Sequence, residues 1–173
     1  MKKLLLSLTI LLSAMSAQSQ KPCNSNQAYR QFDFWIGNWE VFAKNGNKAG
    51  DSKITLILDS CIILEEWTSA NTVRGMRYAG KSFNTYDAKT RQWQQTWVDN
   101  VGGSTEYLKG SYADKKLVFQ TATFRISKDT MAVRRLSFYD LGNDRVRQHG
   151  EISKDNEITW TTEFDLEYRR KNG

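Results

Sequence analysis

The chain has 173 residues, a length that predicts one domain and allows roughly 68–70% of the unfolded surface to be buried. Hydrophobic residues make up 39% and charged residues 25%, so an ordinary globular core explains folding and neither a metal nor a disulfide is required for it. The formal charge falls from +6 to about +4 without Lys2 and Lys3, and acidic residues interleave with the basic ones, which argues against a nucleic-acid partner.

The first 19 residues have the pattern of a secretory signal peptide. The basic start MKK is followed by the apolar run LLLSLTILL and by the small residues of SAMSAQSQ. The apolar run is too short to span a bilayer, and cleavage is expected after Ala17 or Ser19. We predict a periplasmic or secreted mature protein with no membrane span. The alternative is an N-terminal membrane anchor.

Two cysteines, Cys23 and Cys61, follow this segment in a compartment that permits disulfides. They are too few and too far apart for a zinc site, and no other metal-ligand spacing is present, so no metal and no cofactor are predicted. We expect a bridge that tethers the N-terminal segment to an early strand. The alternative is two free thiols.

Residues 20–36 form a lead-in in which NSNQAYRQFDFWI predicts a short helix capped by Ser25 or Asn26. From 37 to 170 the chain reads as strands, because turn clusters such as DAKT, NVGGS and LGND separate runs rich in β-branched and aromatic residues. The stretch EITWTTEFDLEY alternates apolar and polar residues over twelve positions, which predicts a long antiparallel strand. About ten strands with short hairpins predict an all-β, up-and-down antiparallel barrel over residues 37–170.

The stretch RQFDFWIGNWEVF places five aromatic rings where the first strand begins. A barrel with a dry interior needs a plug at one end, and Trp35 and Trp39 predict one, with Gly37 allowing the chain to bend. The last strand ends in YRRK, so an arginine can lie on the Trp39 ring. We assign Trp35, Gly37, Trp39 and Arg169 to barrel closure, with Arg170 as the alternative arginine.

Gly37-Asn38-Trp39 on the first strand, with an arginine on the last, resembles the lipocalin (calycin) signature. The strings RQFDFWIGNWEVF, LDSCIILEEW, GKSFNTYD and WQQTWVDNVGG resemble a family of exported bacterial lipocalin-like domains of unknown function, over about residues 30–168. The resemblance implies a ligand-holding barrel and supplies no reaction. Haem-binding barrels of the nitrobindin type, which are similar, use a histidine as iron ligand. The single histidine here, His149, is predicted to face outward beside Arg147 and Glu151.

Strand parity brings three faces together inside the barrel if the tryptophans point inward. Both faces of CIILEEWTS are half apolar, so whether Glu65 or Glu66 faces inward stays open. Rings with a few convergent polar groups suit a small-molecule pocket, whereas buried amides and carboxylates are costly unless hydrogen-bonded. The predicted cavity residues are Glu65, Trp67, Ser82, Asn84, Tyr86, Trp93, Gln95, Trp97 and Asp99.

We predict a barrel that binds an amphipathic or ring-containing metabolite. One alternative is an envelope enzyme in which buried Glu65, paired with Asp99, acts as general acid or base. No nucleophile is set beside a base, so the sequence favours binding over catalysis. A second alternative is an interaction module with Phe42, Phe83 and Phe138 on the outer face, and a third is a self-satisfied interior network with ordered water.

Overall fold

The structure, a computed structural model, describes residues 23–171; the predicted signal peptide, residues 1–19, lies outside the described residues. Two short 3₁₀ helices, Gln27–Arg30 and Asp33–Trp35, precede the strands. Asn26 caps the first helix by accepting a hydrogen bond from the Ala28 backbone. The strands of the described chain are β1 Gly37–Ala43, β2 Lys48–Ile57, β3 Ile62–Val73, β4 Met76–Asp87, β5 Gln92–Asp99, β6 Ser104–Ala113, β7 Lys116–Gln120, β8 Phe124–Ser127, β9 Thr130–Gly142, β10 Arg145–Ser153 and β11 Thr161–Arg170.

These strands form an antiparallel sheet that closes on itself. Apart from β7 and β8, strands that follow one another in the chain are neighbours, and the pairing of β1 with β11 completes the ring. β7 and β8 pair with successive parts of β9, because residues 121–123 interrupt the run between them. Ten strand positions therefore close into the predicted up-and-down barrel, which has no free edge along most of its length.

Successive hairpins of such a meander lie at alternate ends of the barrel. The closed end carries residues 23–36 together with the turns at 58–61 and 88–91. The open end carries the turns at 74–75 and 100–103 and the longer connection before β11. Strand β3 therefore runs from the closed end to the open end, and β4 returns.

A disulfide holds the N-terminal segment against the closed end. Cys23 is bonded to Cys61, as predicted, and this links the segment to the turn between β2 and β3. The Arg30 guanidinium donates to the Ser60 carbonyl in the same turn over 2.6 Å. The lead-in is thus fixed as a cap across one mouth of the barrel.

Aromatic rings fill the closed end. Phe32 stacks on Trp35 with ring centroids 4.9 Å apart, and Trp35 lies 4.6 Å from Phe138. The Trp39 indole donates to the Trp35 carbonyl over 2.9 Å. All four side chains are fully buried, and rings of this size bury about 150–250 Å² each, so they dominate the core. Phe138 was predicted to face outward, and this prediction is wrong.

Arg170, not Arg169, covers the first-strand tryptophan. Register places Trp39 opposite Arg170, and the guanidinium carbon lies 4.4 Å from the indole centroid. Arg169 points to the opposite face and lies over Phe42. Gly37 begins β1 with a φ of 147°, which L side chains rarely adopt, and a Cβ there would displace the Arg170 guanidinium.

The last strand begins later than its alternation predicts. β11 starts at Thr161, and the residues before it form a turn in which Asp155 accepts hydrogen bonds from the Thr159 backbone and hydroxyl. The Ser153 hydroxyl accepts from the Glu157 backbone in the same turn. Short polar side chains therefore capture backbone groups that a strand would pair, which is how such residues favour turns.

Candidate functional site

A cavity of about 470 Å³ occupies the open half of the barrel. Trp67 on β3, Trp97 on β5 and Phe164 on β11 line its walls, and Glu65 lies at its inner end, next to the filled closed end. In a ring of ten positions β5 and β11 are diametrically opposite, so Trp97 and Phe164 face each other across the cavity.

Glu65 is the inward-facing member of the Glu65–Glu66 pair and is 2% exposed. Its Oε1 accepts hydrogen bonds from the Ser52 hydroxyl at 2.8 Å and the Tyr168 hydroxyl at 3.1 Å, and its Oε2 accepts from Ser82 at 3.0 Å. Burial raises the pKa of Glu65 from 4.5 to about 7, against the lowering effect of these three donors. Glu65 thus changes charge near neutral pH.

A chain of buried side-chain hydrogen bonds extends from Glu65 toward β5. Asn84 donates to the Ser82 hydroxyl and to the Ile63 carbonyl, each over 3.0 Å, and Gln95 donates to Asn84 Oδ1 over 2.7 Å. These contacts fix the orientation of both amides. They leave Gln95 Oε1 without a partner among the described residues, in a side chain that lines the cavity.

A second arm of the network runs from Glu65 through Tyr168 to β10. The Tyr168 hydroxyl lies 3.1 Å from Glu65 Oε1 and 2.9 Å from Gln148 Oε1, and its single proton can serve only one of them. When Glu65 is protonated, its carboxyl can donate to Tyr168 while Tyr168 donates to Gln148. When Glu65 ionises, Tyr168 turns to the carboxylate and Gln148 loses its donor. Burial, with Glu65 alongside, raises the pKa of Tyr168 well above its usual range.

Asp99 lies on the cavity wall near the open end but serves the turn at 100–103. Its Oδ1 accepts from the backbone of Gly103 at 2.7 Å and of Val101 at 3.1 Å, and its Oδ2 accepts from the Tyr78 hydroxyl. These hydrogen bonds, the one from Gly103 foremost, lower the pKa of Asp99. Asp99 on β5 lies two strand spacings and two residues from Glu65 on β3, about 12 Å along the sheet, so the two carboxylates do not form the pair that glycoside hydrolysis requires.

Glycines on neighbouring strands let the cavity rings lie flat against the wall. The edge of the Trp67 ring rests on Gly50, and that of Trp97 rests on Gly80, where an added Cβ would meet the indole at 2.7 and 2.5 Å or closer. Phe164 covers Gly150 in the same way. Because the rings lean over backbone and not toward the axis, they line the cavity and leave it open.

Arg134 and Glu163 form a bidentate ion pair at the mouth of the cavity, with Nε–Oε2 at 2.8 Å. Both side chains are about one-third exposed. Arg134 is the one basic residue among the described residues that line the cavity. Tyr107 lies deeper, and burial raises its pKa to about 12, so its hydroxyl stays protonated.

The structure separates the predicted cavity residues by their level in the barrel. Five of them line the cavity: Glu65, Trp67, Gln95, Trp97 and Asp99. Ser82 and Asn84 are fully buried in the hydrogen-bond network of Glu65. Two others belong to the closed end. There the Trp93 indole donates to Gln31 over 3.1 Å, and the Tyr86 ring lies 5.2 Å from Tyr29.

The outer face carries the remaining candidates. His149 lies there, with Nε2 2.9 Å from the Thr162 hydroxyl and Nδ1 3.6 Å from Glu151. Phe83 is 41% exposed, whereas Phe42 is covered by an arginine. Within residues 23–171 no group of three or more His, Cys, Asp or Glu side chains gathers to hold a metal, and no helix is long and apolar enough to cross a membrane.

Eleven of the sixteen described residues that line the cavity were missed from the sequence, among them Phe164, Arg134, Tyr168, Gln148 and Tyr107. Nothing in the local sequence pattern brings Gln148 or Tyr168 to Glu65. Tyr168 lies 103 residues from Glu65 in the chain, and only closure of the barrel through β1 and β11 joins them.

Comparison with known proteins returns no match of the chain to a protein-family model or to a curated protein sequence.

Proposed function

We propose that this protein is an exported barrel that binds an amphipathic or ring-containing small molecule in its open-end cavity. The observation that carries the proposal is an unfilled space of about 470 Å³ with aromatic walls and a buried, hydrogen-bonded carboxyl at its inner end. Ligand pockets commonly enclose about 300–1,000 Å³ and combine apolar walls with a few fixed polar groups.

The distribution of polarity supports an amphipathic ligand. Rings of Trp67, Trp97 and Phe164 offer stacking surfaces along the walls, whereas hydrogen-bonding groups concentrate at the inner end and charges lie at the mouth. A purely structural interior would be filled by aliphatic side chains, which need no partners. The inner end instead holds a carboxyl with three hydroxyl donors.

Two further observations support export and the lipocalin-like assignment. The Cys23–Cys61 bridge is of the kind that persists in oxidising compartments, which agrees with the signal-peptide pattern at the start of the chain. The stacking of Arg170 on Trp39 joins the first and last strands, as the resemblance to lipocalin-like barrels implies.

Intrinsic fluorescence gives the direct test, because Trp97 lies in the cavity wall. Titration of the mature protein with a broad small-molecule library and a naphthalene dye should quench emission saturably. Trp97→Leu should reduce the response, and Trp97→Leu together with Trp67→Leu should remove most of it, because both rings line the cavity. Trp160→Leu is the matched control, since Trp160 lies under Arg135 away from the cavity. A library without a single saturable binder, or quenching that Trp97→Leu leaves intact, would refute the proposal.

A further inference from the structure

The inner end of the cavity presents one unused acceptor and one unused donor. Gln95 Nε2 is held by Asn84, which leaves Gln95 Oε1 as the acceptor. Gln148 Oε1 is held by Tyr168, which leaves Gln148 Nε2 as the donor. Neither free atom has a partner within residues 23–171, and both side chains line the cavity. Polar atoms that face a cavity without a protein partner favour a ligand that completes their hydrogen bonds.

The walls above these amides are flat. Trp97 and Phe164 face each other from opposite strands, and each ring lies against a glycine of the neighbouring strand, Gly80 and Gly150. A flat ring between two flat walls gains stacking contacts that a bulky aliphatic ligand does not.

We propose that the ligand is a planar nitrogen heterocycle that carries a ring N–H and a ring carbonyl. The N–H donates to Gln95 Oε1, the carbonyl accepts from Gln148 Nε2, and the ring plane lies between Trp97 and Phe164. This inference rests on the proposed binding function and names the chemistry of its ligand.

The same groups disfavour the obvious competitors. A fatty acid whose carboxylate entered first would meet Glu65 and no cation, because Arg134, at the mouth, is already paired with Glu163. A hydrocarbon would leave both amides desolvated and unpaired, so the loss of their hydration would not be compensated. An ammonium group would compete with the Ser52 and Ser82 hydroxyls, which already donate to Glu65.

Matched pairs of probes test the edge recognition. Lumiflavin, pterin and xanthine each carry a ring N–H beside a carbonyl, and each is compared with its analogue methylated at that nitrogen. Binding is followed by tryptophan quenching and by probe fluorescence. At least one parent heterocycle should bind, and methylation should weaken it at least tenfold, because the methyl group removes the donor and leaves the Gln95 acceptor buried.

Variants tie this preference to the two amides. Gln95→Met should weaken the parent at least tenfold and leave the methylated analogue nearly unchanged. Gln148→Met should weaken both, because both keep the carbonyl. Gln94→Met is the control, since Gln94 lies on the same strand but is not among the lining residues. Gly80→Ala should push the Trp97 ring into the cavity and abolish binding. Gly75→Ala strains a turn residue with φ of 78° and should lower stability while keeping the binding.

The outcomes separate this inference from the proposed function. If the naphthalene dye binds but no heterocycle does, or if parent and methylated analogue bind equally, the inference is wrong and the binding function stands. If Gln95→Met weakens the binding of the parent and of its methylated analogue equally, Gln95 has only a structural role, and the inference is also wrong. If neither dye, library compound nor heterocycle binds, both proposals fail.

Discussion

Replacing Glu65 by glutamine should remove most of the pH dependence of stability between pH 4.5 and 7. Below pH 4.5 the wild-type carboxyl is protonated in both the folded and the unfolded chain. Between pH 4.5 and about 7 the unfolded chain releases this proton, whereas the buried carboxyl retains it. The free energy of unfolding therefore falls as pH rises through this window and is constant, as far as Glu65 is concerned, above it.

The magnitude follows from the width of that window. From 4.5 to about 7 is about 2.5 pH units, and each unit corresponds to 1.36 kcal/mol. Glu65 should therefore destabilise the ionised barrel by about 3 kcal/mol relative to the barrel at pH 4.5. A glutamine side chain has nearly the same shape and keeps one acceptor oxygen, and the serine hydroxyls can rotate to accept from its amide. Relative to the wild type, the free energy of unfolding of the variant should therefore rise by about 3 kcal/mol between pH 4.5 and pH 8.

Urea unfolding followed by tryptophan fluorescence, repeated from pH 4 to pH 8.5, measures this difference, provided that the m-value stays constant. Glu66→Gln is the matched control. Glu66 lies on the outer face with Lys81 donating to it over 2.8 Å, which lowers its pKa, so its variant should follow the wild-type curve closely in this window. The reasoning is wrong if Glu65→Gln keeps the wild-type slope, or if Glu66→Gln removes it.

Three other outcomes are expected. Reduction of the bridge between Cys23 and Cys61, 38 residues apart, should lower the free energy of unfolding by about 4 kcal/mol in the loop-entropy model, and an unchanged melting temperature in reductant would contradict this tether. Arg170→Ala should lower the free energy of unfolding in denaturant by about 1–2 kcal/mol, and Arg169→Ala should lower it by less than about 1 kcal/mol. The reverse order would contradict the assignment of barrel closure to Arg170. Hemin should not bind through His149, because His149 lies on the outer face. The Soret absorption on hemin titration should therefore be the same in the wild type and in His149→Ala.

Much of the fold follows from local sequence pattern. Alternation with period two and regularly spaced turn clusters predict antiparallel strands, and ten of them without helices predict closure. The exceptions arise where side chains satisfy the backbone. Before β11, Ser153 and Asp155 bind backbone amides and remove four residues from the predicted strand. Between β7 and β8, the Thr121 hydroxyl accepts from the Arg134 backbone where the ladder is interrupted.

The candidate site was predictable by face but not by level along the barrel. Parity correctly put Tyr86 and Trp93 on the same side of the sheet as Trp97. Their level depends on register, and both flank the turn at 88–91, which lies at the closed end. Cys61 marks the end of the barrel to which the N-terminal cap is bound. Hairpins at that end could therefore have been assigned to the closed end from the sequence, which would have separated Tyr86 and Trp93 from Trp97. The contact between Glu65 and Tyr168 has no such local signal.

The closed end and the cavity make opposing contributions to the free energy of unfolding. A domain of this kind is stable by about 5–15 kcal/mol, so a carboxyl that costs about 3 kcal/mol when ionised is a large fraction of the total. A leucine at position 65 would avoid that cost and fill space. The disulfide contributes about as much as the carboxyl removes, and it does so at the opposite end, where the aromatic core leaves no room for a ligand. Such a division, a tethered and filled end beside an open end with a destabilising polar group, is expected where the polar group serves recognition. The proposed ligand binding would account for a carboxyl at position 65 in a barrel that would be more stable without it.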